Sequence, residues 1–160
     1  MSSEIGDDFF TKAQVGQEIP PLVKRAVIKE LFMTWGRVKG ELHPVFGNSH
    51  LEEMDNQAAA QAEVKGMDTI HFSRILPGTH ALEFLSQMIT NWLPSPQGWL
   101  FGGQLKAKIA RPISPNELIT CHGRVAQKIE NKSQRCLVCE VWIEKETGEP
   151  AVIGEATIQF

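Results

Sequence analysis

The sequence predicts an α+β domain in which an antiparallel curved sheet is wrapped around one long central helix. The helix is indicated over residues 76–93, where apolar side chains recur at the 3.6-residue period. Four segments with strand character follow it, separated by clusters of turn residues. Because a helix this apolar must be covered on most of its surface, we expect the sheet to curve around it.

The part of the chain before the central helix is predicted to be less regular. Residues 1–14 are expected to form a flexible N-terminal arm, and residues 15–160 a single domain. A short extended segment begins at Val15, because Pro20 and Pro21 exclude a helix interior. Helices are indicated over residues 28–35 and 51–64, with an irregular region between them.

The four predicted strands begin after the Pro94–Gly98 break in the chain. The first covers residues 99–111, the second covers 118–129, and the turns at 131–133 and 147–148 lead into the third and fourth. In the first strand, polar Gln104, Lys106 and Lys108 alternate with apolar Leu105, Ala107 and Ile109. One face of this strand is therefore expected to contact solvent and the other to contact the core.

Composition excludes several classes of function. The chain has 160 residues, a net charge of −3 and no long Lys/Arg run, which argues against a nucleic acid or an anionic membrane as its main partner. No apolar run is long enough to span a bilayer, and the first residues lack the basic and apolar regions of a signal peptide. We therefore expect a cytoplasmic protein.

The three cysteines do not indicate a metal or redox site. Cys136 and Cys139 form an isolated C-x-x-C, but they lie in an alternating run, so their side chains point to opposite faces of the predicted strand. Cys121 is the only other thiol and supplies no second ligand pair. The expected role of all three is packing in the core, with no metal and no cofactor.

Several short patterns follow one another along the chain: Val15-Gly16-Gln17, Pro20-Pro21-Leu22, Leu76-Pro77-Gly78, Thr90-Asn91-Trp92, Pro115-Asn116-Glu117-Leu118, Glu140-Val141-Trp142-Ile143, Gly148-Glu149 and Gly154-Glu155-Ala156-Thr157. In this order they resemble the MaoC-like acyl-thioester dehydratase/hydratase family, which has the hotdog fold. The likeness runs from about Val15 to Phe160 and depends on the order of the patterns more than on any one of them.

The resemblance implies an activity and a set of partners. The family adds water to trans-2-enoyl thioesters, or removes it from 3-hydroxyacyl thioesters, with coenzyme A or an acyl carrier as the thiol and no other cofactor. It further implies a homodimer or higher oligomer, or a heteromer with a catalytic hotdog subunit.

The resemblance also locates the catalytic candidates, but the motif is altered in this chain. The family uses an Asp and a His, five positions apart in Gly-Asp-x-Asn-Pro-x-His, and Gly40–Phe46 places Glu41 at the acid and Phe46 at the histidine. A shifted alignment places His50 at the histidine and Val45 at the acid. The resemblance therefore makes Glu41, His43 and His50 the candidate catalytic residues, with ordinary loop or surface roles as the alternative.

Other residues are candidates for substrate binding. Pro77 and Gly78 begin the central helix, whose exposed N–H groups favour an anionic or carbonyl oxygen. Glu83 falls at the spacing of a glutamate that is catalytic in the related carrier-protein dehydratases; a buried structural glutamate is the alternative. Lys106 and Lys108 are candidates for contact with coenzyme A phosphates, and a solvated face is the alternative.

Two functions of different classes therefore remain open from the sequence. The first is an enzyme that hydrates enoyl thioesters. The second is a subunit that binds an acyl thioester, or completes a partner's pocket, without turnover. A thioesterase is a third possibility, because that activity needs only a carboxylate and a polarised carbonyl.

Overall fold

The computed structural model describes residues 2–26, 78–114 and 116–160. The described part contains three helices, all before residue 104, and five strands, four of which follow one another from residue 104 onward. The helices are α1 (Ser2–Lys12), α2 (Gly78–Trp92) and α3 (Gln97–Gly102), and the strands are β1 (Glu18–Arg25), β2 (Gln104–Ile109), β3 (Leu118–Glu130), β4 (Arg135–Lys145) and β5 (Pro150–Gln159).

The chain divides into two units. The first comprises residues 1–25, 77–112 and 118–160 and contains all the helices and strands named above. Of the second unit, the structure describes Ala26, residues 113–114 and residues 116–117, where the Asn116 N–H donates to the Ala26 carbonyl. The single domain predicted over residues 15–160 includes residues 27–77, which lie outside the described part, and stays a prediction.

The five strands form one antiparallel sheet in the order β1-β3-β4-β5-β2. β3, β4 and β5 form a meander, and β2 pairs with the outer side of β5. The alternation of side chains gives the sheet an inner face, which packs against α2, and an outer face. Fully buried inner-face side chains include Ile119, Cys121, Val125, Leu137, Cys139, Val141, Ile143, Val152, Ala156 and Ile158.

The predicted central helix is confirmed, because residues 76–93 contain α2. Its buried residues are Ala81, Leu85, Met88 and Ile89 together with His80. Leu85 and Ile89 are completely buried, which accounts for the 3.6-residue apolar period seen in the sequence. The helix therefore forms the core together with the inner face of the sheet.

The flexible arm predicted over residues 1–14 is instead largely helical. α1 places Phe10 in a fully buried position, 5.3 Å from the ring of Phe160 between ring centroids. The ammonium group of Lys128 donates to the carbonyls of Thr11 and Ala13 at 3.0 and 3.2 Å, which satisfies acceptors at the C-terminus of the helix. The prediction was wrong because two adjacent aromatic residues do not produce a recognisable helical period.

The strand predicted over residues 99–111 is also shorter than expected. Residues 97–102 form α3, and only Gln104–Ile109 is extended. Trp99 is buried against α2, which favours a helical turn here over a strand. The face that was predicted to contact the core is only partly buried. Ala107 and Ile109 on this face are exposed, because β2 lies at the edge of the sheet.

The cysteines occupy the core positions expected of them. Cys121, Cys136 and Cys139 are all buried and free. Burial raises the pKa of the Cys121 thiol to about 12, with a smaller opposing effect of Lys24, and burial raises the pKa of Cys139 to about 12. These thiols therefore stay protonated at neutral pH and are poor nucleophiles.

We predict that the raised thiol pKa values make the fold less stable in alkali. In the unfolded chain these thiols ionise near their ordinary pKa of 9.0, so the unfolded state binds fewer protons than the folded state from there to about pH 12. The free energy of unfolding should fall as pH rises through this range. Urea unfolding of wild type and of Cys121→Ala/Cys139→Ala tests this, because the variant should lose part of the decline; an identical decline in both proteins would contradict it.

No helix in the described ranges is long and apolar enough to cross a membrane.

Candidate functional site

A shallow groove of about 320 Å³ runs beside α2 in the first unit. Residues of α2 form one wall, and α3 with the start of β2 forms the other. Most side chains that line the groove are apolar, and the exceptions are two hydroxyl groups and one carboxylate, all on α2. The lining residues are Thr79, Leu82, Glu83, Ser86, Trp99, Leu100, Gly103 and Leu105.

The spacing of residues along α2 determines which of its side chains line the groove. Thr79, Leu82, Glu83 and Ser86 lie three or four residues apart and share one face of the helix, next to the buried face. This explains why Leu82, which the sequence assigns to the apolar stripe, is only half-buried and contributes to the groove.

The opposite wall is held in place by α3. The indole Nε1–H of Trp99 donates to Ser86 Oγ at 2.9 Å, so α3 is tied directly to α2. Gly98 lets α3 approach the end of β5, because a Cβ atom there would lie 1.9 Å from the carbonyl oxygen of Gln159. A side chain at position 98 would therefore displace α3 and change the groove.

Glu83 and His80 form the polar pair of this site. His80 Nδ1 lies 2.9 Å from Glu83 Oε2, and the His80 side chain is 4% exposed whereas the Glu83 side chain is 59% exposed. With the carboxylate ionised, Nδ1 must be the donor, because a carboxylate only accepts hydrogen bonds. The buried imidazole therefore holds the carboxylate in one orientation at the groove.

The N-terminus of α2 lies close to β2. A Cβ atom at Gly78 would be 2.2 Å from Ile109 Cδ1, so a larger residue at this position would require the exposed Ile109 side chain to move. The predicted role of Gly78 in substrate binding stays a prediction. Pro77, predicted to bind substrate together with Gly78, lies outside the described residues.

The other predicted site residues are not brought together in the described structure. Glu41, His43 and His50 lie outside the described residues. Lys106 and Lys108 are exposed on β2, on the face opposite Leu105, which lines the groove. Of the site residues predicted from the sequence that lie in the described part, only Glu83 lines the groove.

Sequence reasoning did not identify Thr79, Ser86, Trp99 and Leu100 as groove residues. A signal for the α2 pair was present, since Thr79 and Ser86 are seven residues apart and fall on the face of Glu83. The sequence has no comparable signal for Trp99 and Leu100. They lie in a short helix that was predicted to be part of a strand. Only the tertiary contact between Trp99 and Ser86 assigns them to the site.

This arrangement suits an amphipathic ligand. Leu82, Leu100 and Leu105 offer apolar contact, whereas Glu83 offers an acid or base at a fixed position. An oriented carboxylate can accept a proton from water or from a carbon atom next to a carbonyl group.

No protein-family model and no curated protein sequence matches the chain. Solved structures do resemble it. The (R)-hydratase PhaJ1 from Pseudomonas aeruginosa is 20% identical with a TM-score of 0.64, over 94% of this chain and 83% of that chain. A MaoC-like dehydratase from Rhodospirillum rubrum is 18% identical with a TM-score of 0.59, over 93% of this chain and 94% of that chain.

The ChsH1–ChsH2 complex from Mycobacterium tuberculosis is a third structure of this kind. It is 13% identical with a TM-score of 0.60, over 92% of this chain and 98% of that chain. At these identities the likeness shows the fold. The chain has the hotdog fold of solved MaoC-like dehydratases and (R)-hydratases, as predicted from the sequence.

Proposed function

We propose that this protein hydrates trans-2-enoyl thioesters to 3-hydroxyacyl thioesters, or catalyses the reverse reaction. The observation that carries this proposal is the position of Glu83, whose exposed carboxylate is held by buried His80 in a groove with apolar walls. The hotdog fold shared with solved hydratases and dehydratases supports the same reaction class.

In this proposal the acyl chain lies along the apolar part of the groove, against Leu82, Leu100 and Leu105. The thioester is linked to coenzyme A or to an acyl carrier, and no other cofactor takes part. Backbone N–H groups at the start of α2 donate hydrogen bonds to the carbonyl oxygen of the thioester, because the N-terminus of a helix stabilises developing negative charge.

The carboxylate of Glu83 then acts as the base. It takes a proton from water while the water oxygen bonds to C3, and the electron pair of the double bond moves toward the thioester carbonyl. The protonated Glu83 then gives this proton to C2, which completes the addition of water and regenerates the carboxylate. In dehydration the same steps run in reverse: the carboxylate removes the proton from C2 and gives it to the hydroxyl group that leaves C3 as water.

The predicted acid–base residues Glu41, His43 and His50 belong to the same proposal. They lie outside the described residues. Glu41 is the alternative base for the same water.

The proposal is tested by the loss of enoyl-thioester absorbance when the purified chain meets trans-2-enoyl-coenzyme A substrates of short, medium and long chain length. We expect turnover by wild type and a preference among chain lengths, because the groove offers limited apolar contact. Glu41→Gln is assayed alongside. No turnover at any chain length would contradict the enzyme proposal.

A subunit that binds acyl thioesters without turnover is the second candidate. Two observations favour it: Phe46 stands where the family's histidine is expected, and the ChsH1–ChsH2 complex is among the similar structures. This candidate predicts binding of enoyl-coenzyme A by the single chain, and turnover only after a catalytic hotdog subunit is added. If the protein were instead a thioesterase that uses Glu83, it would hydrolyse the same substrate and release free coenzyme A.

A further inference from the structure

One end of the groove carries a hydroxyl group that the proposed hydration chemistry does not use. Ser86 Oγ accepts the indole Nε1–H of Trp99 at 2.9 Å, and both residues line the groove. An indole N–H only donates, so the hydrogen of the Ser86 hydroxyl is not part of this bond. Among the described residues, no other hydrogen bond of this hydroxyl is present. The Ser86 O–H is therefore able to donate to a ligand in the groove.

The orientation of the Ser86 hydroxyl differs from that of its neighbour on the same helix. A serine or threonine inside a helix commonly donates to the carbonyl group four residues before it. Thr90 does so, since its hydroxyl donates to the Ser86 carbonyl at 2.9 Å. The Ser86 oxygen instead faces Trp99, which is 7% exposed and belongs to the opposite wall. The indole holds the hydroxyl at the groove, and the bond it donates makes the hydroxyl a stronger donor.

The contacts at the two ends of the groove give its direction. Gly78, the first residue of α2, lies beside the Ile109 side chain at the end of β2, whereas Leu105 near the start of β2 lines the groove. α2 and β2 therefore run in opposite directions along the groove. Thr79 lies toward one end and Ser86 toward the other, seven residues or about 10 Å apart along the helix axis.

Ser86 lies beyond the reacting carbon atoms of the proposed substrate. In the proposed function the thioester oxygen is held at the start of α2, and Glu83 acts at C2 and C3. Ser86 is three residues further along the helix, a rise of about 4.5 Å. Because a carbon–carbon bond is about 1.5 Å long, this rise corresponds to roughly three or four bonds of an extended acyl chain, which places the hydroxyl near about C6 or C7.

A plain alkyl chain suits this position poorly. Leu82, Leu100 and Leu105 offer apolar contact, but a chain that covers Ser86 takes its O–H out of water without supplying an acceptor. Leaving a covered donor unpaired costs more than an ordinary hydrogen bond contributes. An oxygen atom on the acyl chain at this point would supply the acceptor. A polar group placed in an apolar pocket in this way selects between ligands of similar size.

We propose that Ser86 is a specificity-determining residue for acyl thioesters that carry a second oxygen, in a carbonyl or hydroxyl group, at about C6 or C7 of the acyl chain. The Ser86 hydroxyl donates to this oxygen, and Trp99 positions the hydroxyl. The inference rests on the proposed placement of the thioester at the start of α2. It applies equally to an enzyme and to a subunit that binds without turnover.

The test measures binding, so its outcome does not depend on turnover. The ligands are octanoyl-coenzyme A and 7-oxooctanoyl-coenzyme A, which are saturated, have the same chain length and differ in one carbonyl group. Isothermal titration calorimetry gives the Kd of each ligand for wild type and for Ser86→Ala. The quantity compared is the Kd of the octanoyl ligand divided by the Kd of the 7-oxo ligand. A general loss of affinity changes both values alike and cancels from this ratio.

The ratio should be about five- to tenfold lower in Ser86→Ala than in wild type, which is the value of one net hydrogen bond between neutral groups. Ser86→Thr keeps a hydroxyl and should keep the preference. Trp99→Phe removes the same bond between α2 and α3 but leaves the Ser86 hydroxyl, so it should retain more of the preference than Ser86→Ala does. Thr79→Val removes a hydroxyl at the other end of the groove and should leave the ratio unchanged.

The results separate this inference from the proposed hydration. An equal ratio in wild type and Ser86→Ala would overturn the inference, even if wild type hydrates enoyl thioesters. Failure of wild type to bind either ligand would also overturn it, as would an equal fall of the ratio in Thr79→Val or Trp99→Phe. A lower ratio in Ser86→Ala alone, together with no turnover of enoyl thioesters by wild type, would support the inference for a binding subunit and contradict the enzyme proposal.

Discussion

Glu83→Gln is expected to lower kcat/KM for enoyl-thioester hydration by about 10²- to 10⁴-fold, the contribution typical of a positioned acid–base group. Glutamine has the shape of glutamate and its amide oxygen can still accept a hydrogen bond from His80, but it cannot take a proton at neutral pH. Because the Glu83 side chain is 59% exposed, the fold should be unaffected. The rate is followed by the decrease in enoyl-thioester absorbance.

The matched control for this variant is Glu146→Gln, which changes an exposed glutamate in the turn between β4 and β5. It should hydrate the substrate at the wild-type rate. Wild-type activity in Glu83→Gln, together with loss of activity in Glu41→Gln, would assign the acid–base role to Glu41 instead of the groove carboxylate.

Phe10→Ala is expected to lower the free energy of unfolding by about 3–5 kcal/mol, the usual cost of removing a buried phenylalanine ring. Phe10 is fully buried, and its ring lies beneath the cationic groups of Lys128 and Arg135, at 4.7 and 4.6 Å from the ring centroid. Its loss removes contacts to Phe160 as well as these two cation–π contacts. Urea unfolding measured by circular dichroism gives the value.

Asp8→Ala is the control for Phe10→Ala because it lies on the same helix. Asp8 is exposed and its ion pair is with exposed Lys12, so its loss should cost less than 1 kcal/mol. If Phe10→Ala were equally mild, the N-terminal segment would contribute little to stability, as the predicted flexible arm requires.

The central helix and the last three strands could be predicted because each is long and has a uniform pattern. α2 places apolar residues at helical spacing over fifteen residues. In β4, alternate residues from Leu137 to Ile143 are buried, which is the two-residue period of a strand with one covered face. Local periodicity is sufficient where one face of an element meets the core along its whole length.

The two errors occur where a short segment is held by a few tertiary contacts. α1 depends on Phe10 and on the bonds from Lys128, a residue more than one hundred positions away in the chain. α3 depends on Trp99 and its hydrogen bond to Ser86. Neither interaction leaves a period in the sequence, so both segments were assigned from local composition alone.

The site was less predictable than the fold for the same reason. Glu83 was selected from its spacing after Pro77-Gly78, and the structure places it in the groove. The lysines of β2 were selected for their charge, which does not show that their face of the strand points away from the groove. Glu41, His43 and His50 remain predictions, because their selection depends on a motif in a part of the chain outside the described residues.

The most direct test of the central claim, that the acyl thioester lies in the groove beside Glu83, is photo-crosslinking with a trans-2-enoyl-coenzyme A carrying a diazirine at the end of its acyl chain. After irradiation and digestion, mass spectrometry identifies the labelled residues. We predict labels at Leu82, Leu100 or Leu105, suppressed by an excess of unlabelled substrate. Specific labels found only on residues that do not line the groove would contradict the account.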